Sequence, residues 1–287
     1  TQKAIFAYGL NAAENPFSTS NLVNSSGVVA ANVTGVGTAR RSLAASSYGG
    51  DKAFFAFGNS GGNTKVSTKN LVNNSGVVGA DVTGVGTARQ NLASASYGGD
   101  KAIVAYGNSG SNLSNLVSNS GVVATDTTGV GTARADMAGV KYGSDKAIFA
   151  YGYSNQNLSL SNLVTSLGVV GTDVSGVGTA RETQAAPYGV DTAAAAYGQG
   201  DSGYLNVKNL INNSGVVAAD VTGVGTARYG VGSAGYGGDK GIFAYGATGS
   251  ILSMSNLMNN VGVIAADVSG VGTARRYGVA AGYSTSA

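Results

Sequence analysis

One hexapeptide constrains this chain more than any other feature: Gly-Val-Gly-Thr-Ala-Arg occurs six times, ending at Arg40, Arg89, Arg134, Arg181, Arg228 and Arg275. The intervals are 49, 45, 47, 47 and 47 residues. Around each copy the same phrase returns: small residues, a run such as YGGDKAIVAYG, a variable segment, then SNLVSNSGVVATDTTGVGTAR. A fixed period of this length marks a repeat architecture, in which one supersecondary unit is used repeatedly. The units are 1–40 completed by 276–287, 41–89, 90–134, 135–181, 182–228 and 229–275, together one domain over 1–287.

Each unit reads as short strands joined by turns. In the third, 92–97 and 101–106 are divided by Gly98-Gly99-Asp100, a connection that tolerates positive φ, as a tight hairpin requires. A second pair, 115–118 and 122–127, is divided by Asn119-Ser120-Gly121. Four strands per unit are therefore expected. Helices are not, because no stretch sustains apolar spacing at three and four residues, and glycine inside a helix costs about 1 kcal/mol. A four-stranded unit of this length matches a propeller blade, whereas β-solenoid coils repeat at roughly 20–30 residues.

The chain ends supply a second argument. Residues 1–9 align with 50–58, so the chain starts at the second strand of a unit, and 276–283 is a first strand with no second after it. A ring can join the two fragments and remove exposed sheet edges, whereas a solenoid needs caps. The expected fold is an all-β, six-bladed β-propeller of four-stranded blades, closed by pairing of the terminal strands. A start at Thr1 leaves open a processed terminus or an excerpt of a longer protein.

The repeat resembles the kelch family of propellers in its arginine, its hairpin with a hydrophobic second strand, and the small-residue stop after it: Arg40, 48–52, then Phe54-Phe55-Ala56-Phe57-Gly58. It departs where that family has a double glycine, here Tyr106-Gly107 and Tyr151-Gly152, and tryptophan is absent. The phrases DKAIFAYG and SGVVAADVTGVGTAR are also similar to repeats in predicted structural proteins of tailed bacteriophages. This resemblance implies a virion or extracellular setting, with other virion or appendage proteins, or a host-surface glycan or protein, as partners.

Charge is sparse and ordered. Of 17 basic residues, 11 fall at two repeat positions, the six arginines and Lys3, Lys52, Lys101, Lys146 and Lys240. Of 14 acids, ten fall at two others: Asp51, Asp100, Asp145, Asp191 and Asp239 in the hairpin turn, and Asp81, Asp126, Asp173, Asp220 and Asp267 eight residues before the arginine. A residue present once per unit serves a need that arises once per unit. The hairpin aspartates are expected to bond their own turns, and the arginines to bridge carbonyls or carboxylates between neighbours. The rival reading is a ring of arginines gripping an anion in the channel, which the aspartates would partly cancel. Repeated aromatics, such as Tyr48 and Tyr97 at one position and Tyr8 and Tyr106 at another, are expected to pack between blades, with sugar stacking as the alternative.

A formal net charge of +3 with scattered basic residues gives no footprint for nucleic acid, and no run approaches the ~18 apolar residues of a membrane helix. With no His and no Cys, the usual nucleophile–histidine arrangements and zinc or copper ligand sets are excluded. No cofactor and no metal are expected, and no catalytic residue is assigned. The non-repeated acids are Glu14, Asp136, Glu182 and Asp201.

Variation concentrates after each aromatic-glycine stop, in 10–20, 59–69, 108–114, 153–161, 199–208 and 247–255. Loops on a rigid scaffold are where binding surfaces are built. The candidate binding residues are Phe17, Asn63, Tyr153, Asn155 and Tyr204, with tolerated solvent loops as the plain alternative. The fifth unit has Ala194-Ala195 where most others carry Ile-Phe or Phe-Phe, so it is either compensated by neighbours or the first to open. The expected function is a non-enzymatic structural and attachment module of a virion appendage, such as a tail fibre or surface decoration, presenting its loops to a host receptor. A carbohydrate-binding lectin and a kelch-like protein-interaction scaffold are the alternatives.

Overall fold

The computed structural model describes residues 1–108 and 110–287; Ser109, within the variable segment 108–114, lies outside the described residues. Among those described there is no helix. Eighteen strands form six antiparallel sheets of three. The first sheet joins β18 (Val279–Tyr283), β1 (Lys3–Ala7) and β2 (Ser20–Val23). The second is β3 (Ala44–Tyr48), β4 (Lys52–Ala56) and β5 (Lys69–Val72), and the third β6 (Ala93–Tyr97), β7 (Lys101–Ala105) and β8 (Ser114–Val117). Next come β9 (Ala138–Tyr142), β10 (Lys146–Ala150) and β11 (Ser161–Val164), then β12 (Glu182–Tyr188), β13 (Thr192–Gly200) and β14 (Gly203–Ile211). The last holds β15 (Gly232–Tyr236), β16 (Lys240–Ala244) and β17 (Ser255–Met258). The pairing expected of the two chain ends is present, with Lys3 opposite Tyr283 and Ala7 opposite Val279.

The four strands expected per unit are three. The segment read as a fourth strand makes only two isolated bridges to its neighbour, as at Val23–Val29 and Ser20–Val33. Three steps along β2 thus face four along the outer segment, and one extra residue breaks the ladder as a bulge does. The same offset recurs in all six units, for instance at Val117–Val123 and Ser114–Thr127. The bulged stretch contains Asn32, Asp81, Asp126, Asp173, Asp220 or Asp267, whose side chains turn toward the neighbouring unit. Side-chain bonds replace ladder bonds there. The outer segments also expose a valine at one repeat position, including Val28, Val77, Val122, Val169, Val216 and Val263.

Successive units are held by the middle strands, which are buried on both faces. Six apolar clusters each draw on two neighbouring sheets: Phe54 of the second packs with Val104 of the third, and Phe6 of the first with Ile242 of the sixth. Backbone hydrogen bonds link the inner turns in sequence: Gly49 N–H donates to Asp100 O, Gly98 to Asp145, Gly143 to Asp191 and Gly189 to Asp239. Gly237 then donates to Gln2 O, and Ser284 to Asp51 O. The series runs through all six sheets and returns to its start.

The fifth sheet answers the alanine question with length. Strands β13 and β14 have nine residues each, where their counterparts have five and four. Segment 199–208, expected to be a loop, is the end of a hairpin in which Gln199 pairs with Tyr204. Extra ladder and the neighbours' Phe243 and Ile148, which pack against Ala194 and Ala195, offset the missing rings. We expect the amides of β13 to exchange with solvent as slowly as those of β4. Hydrogen exchange of β13 on the timescale of the loops would show that this compensation fails.

Candidate functional site at the loop-end mouth of the channel

The first strand of each unit lies innermost. Strands β3, β6, β9, β12, β15 and β18 neighbour one another in cyclic order and line a central channel.

The repeated arginines do not line that channel. Each is buried between two sheets, with its guanidinium over the aromatic residue of its own unit: Arg89 over Phe57 at 4.9 Å, Arg134 over Tyr106 at 4.7 Å, Arg228 over Tyr197 at 4.2 Å. Its nitrogens donate to the next unit. Arg134 Nε bonds Tyr151 O at 2.8 Å, and Nη2 bonds Asn162 Oδ1 at 2.7 Å. Asn162 donates to Asp173 Oδ1 at 2.9 Å, and Asp173 accepts from Thr132 N–H and Oγ1, two residues before the arginine. The circuit closes on itself across the unit boundary. In the first sheet Asn32 stands in for the aspartate and keeps the bonds to Asn21 and Thr273. Burial raises these carboxyls, but their hydroxyl, amide and backbone donors outweigh it and hold Asp81, Asp126, Asp173, Asp220 and Asp267 below the usual range. Burial pushes the Tyr106, Tyr151 and Tyr197 hydroxyls up to about 12, and each donates to the carbonyl of the valine in a Gly-Val-Gly. The six asparagines of the third strands, fully buried hubs of these circuits, were not singled out from the sequence.

The residues that break the repeat gather elsewhere. The two positions after each arginine read Arg41-Ser42, Gln90-Asn91, Ala135-Asp136, Glu182-Thr183, Tyr229-Gly230 and Arg276-Tyr277. They ring the mouth of the channel at its loop end, around a cleft of about 50 Å³ lined by Ser42, Asn91, Asp136, Glu182, Gly230 and Tyr277. Ser42, Asn91, Asp136 and Tyr277 all have positive φ, and backbone bonds run Asp136 to Asn91 to Ser42 to Tyr277 to Gly230. Asn91 Nδ2 donates to Asp136 Oδ2 at 2.7 Å. Burial, with Glu182 close by, pushes the Asp136 carboxyl up to about 7 against that bond. Burial also raises Glu182, and it raises the Tyr277 hydroxyl with both carboxyls contributing.

Three tyrosines lead outward from this cleft. Tyr277 meets Tyr229 edge-on at 5.8 Å, and Tyr229 stacks on Tyr204 at 5.0 Å with planes 12° apart. Arg276 lies over Tyr229 and Tyr277 and pairs with Glu14 at 2.5 Å. Of the five candidate binding residues, the structure brings only Tyr204 to this cluster; the residue is 41% exposed. Asn63, Tyr153 and Asn155 are exposed on their own loops. Phe17 is half-buried beneath the Arg275 guanidinium at 4.8 Å, so its ring belongs to the arginine circuit and not to a free surface. The signal that could have found the mouth was present: six variable dipeptides, each following an invariant Thr-Ala-Arg.

No family model matches the chain, and no curated protein proves similar to it.

Two predictions follow from these geometries. Arg134→Ala leaves Asn162 and Asp173 without their cation, and we expect a loss of about 3–5 kcal/mol in denaturant unfolding. At the mouth, the Asp136 carboxyl stays protonated in the folded protein up to about pH 7, against an ordinary value of 3.8. A raised carboxyl pKa contributes stability below the unfolded value and loses it as pH rises through the folded one. Asp136→Asn, the residue that unit three carries at this position, should therefore equal the wild type at pH 4 and exceed it by about 1–3 kcal/mol at pH 8. Parallel unfolding curves at the two pH values read this directly.

Proposed function

We propose that the six sheets are the blades of a closed six-bladed β-propeller that acts as a non-enzymatic attachment module, binding a host-surface glycan through its loop-end face. The observation that carries this reading is where the asymmetry lies. The framework repeats six times, and its departures (Tyr204, Tyr229, Arg276, Tyr277, Glu14, Asp136 and Glu182) converge on one face. The cyclic hydrogen bonds and the pairing of the chain ends support the closed ring.

The chemistry favours a polar ligand lying across the mouth. A cleft of about 50 Å³ admits a water or a hydroxyl but not a sugar ring, so the ring would rest outside, on the exposed face of Tyr204. Carboxyls, an arginine and asparagines beside an aromatic platform supply acceptors and donors for hydroxyl groups. A virion appendage such as a tail fibre or surface decoration is the setting we propose. The reading draws on the likeness of DKAIFAYG and SGVVAADVTGVGTAR to repeats in predicted structural proteins of tailed bacteriophages, and the valine-bearing outer segments give an apolar rim of the kind that packs against other subunits.

A glycan array with the isolated chain tests the reading. Saturable binding is expected, weakened roughly tenfold in Tyr204→Ala, consistent with about 1.4 kcal/mol of lost stacking, with the melting temperature unchanged. Binding indifferent to Tyr204, or no binding to any glycan, would move the module to protein recognition; release of free sugar would assign turnover to the Asp136–Glu182 pair.

A further inference from the structure

The opposite end of the channel opens into a chamber of about 160 Å³ between the inner strands and the hairpin turns. The residue before the repeated tyrosine in each inner strand is Ser47, Ser96, Lys141, Pro187, Gly235 or Gly282. Five of these are short or uncharged, and they leave the space; the sixth puts an ammonium into it. Among the described residues, Lys141 has neither an ion pair nor a side-chain hydrogen bond, and burial lowers its pKa.

The protein's other enclosed lysines show that this is not its habit. Lys69 Nζ donates to Gly121 O at 2.8 Å, and Lys208 Nζ to Gly262 O at 2.7 Å. Two acids, Asp100 and Asp239, also line the chamber, and both are already engaged: Asp100 accepts from Asn119 at 3.0 Å, and Asp239 from Lys240 at 3.1 Å. Three serines of the wall spend their hydroxyls on carbonyls, Ser47 on Gly282, Ser94 on Ala45 and Ser233 on Ala185, while Ser96 and Ser144 keep theirs free to donate. A cation removed from water without a partner is costly, and an anion is the group that relieves it.

We propose that Lys141 and the chamber around it bind a small tetrahedral oxyanion of the phosphate or sulfate type. The volume, equal to roughly five waters, accommodates such an ion and no nucleotide. The site lies on the far side of the ring from the glycan face and is independent of it. The Lys141 ammonium marks one wall, and the serine hydroxyls supply donors on the others.

The test uses the full chain in phosphate, in sulfate and in chloride of matched ionic strength. A saturable rise in melting temperature with phosphate or sulfate is expected for the wild type and for Lys141→Arg. It should be lost in Lys141→Ser, which places in unit four the residue that units two and three carry. An equal response in Lys141→Ser, or none in the wild type, overturns the proposal. Should the serine variant fail to fold, the side-chain ammonium resonance of Lys141 in the wild type decides: it moves on titration with phosphate if the site exists, and stays fixed if it does not.

Discussion

A guanidinium buried between two sheets is the interaction on which this molecule rests. Each of the six arginines stands over an aromatic ring of its own unit and donates to a carbonyl and an asparagine of the next. A charge so removed from water is tolerable only when its donors find partners, and the Asn–Asp–Thr circuit with the strand carbonyls supplies most of them. Apolar burial holds neighbouring sheets together without specifying their register. The arginine circuit specifies it, because a planar fork accepts few arrangements of oxygens.

The same circuit explains the broken outer edge. A regular fourth strand would direct alternate side chains to fixed faces; one inserted residue lets the aspartate reach the threonine of the preceding unit instead. Ladder hydrogen bonds are exchanged for charge-assisted ones across a boundary. The bulge also twists the edge away from regular pairing, which protects an exposed sheet edge that carries valines.

With the framework so constrained, the non-repeated residues that face one another gather at the two ends of the channel. At the loop end, six positive-φ or bulged positions after the arginines bring the non-repeated acids and tyrosines together. At the turn end, five short or uncharged residues and Lys141 define a chamber.

The repeat, the strand hairpins, the pairing of the chain ends and the roles open to the arginines were legible in the residues, because period, turn chemistry and charge bookkeeping are local or countable properties. The fourth strand was misread: Val122 to Thr127 has strand composition, and the extra residue is visible only against its partner strand. Phe17 looked like a loop aromatic, and only the return of Arg275 from the far end of the chain shows what covers it. Asp136 and Glu182 are 46 residues apart in sequence and meet because equivalent positions of successive units converge on the axis. What the sequence determined by itself was the unit and how many times it is used. What only the tertiary structure decided was which side chains of successive units face each other, since that depends on how far each sheet is turned against the next, and no local preference encodes that angle.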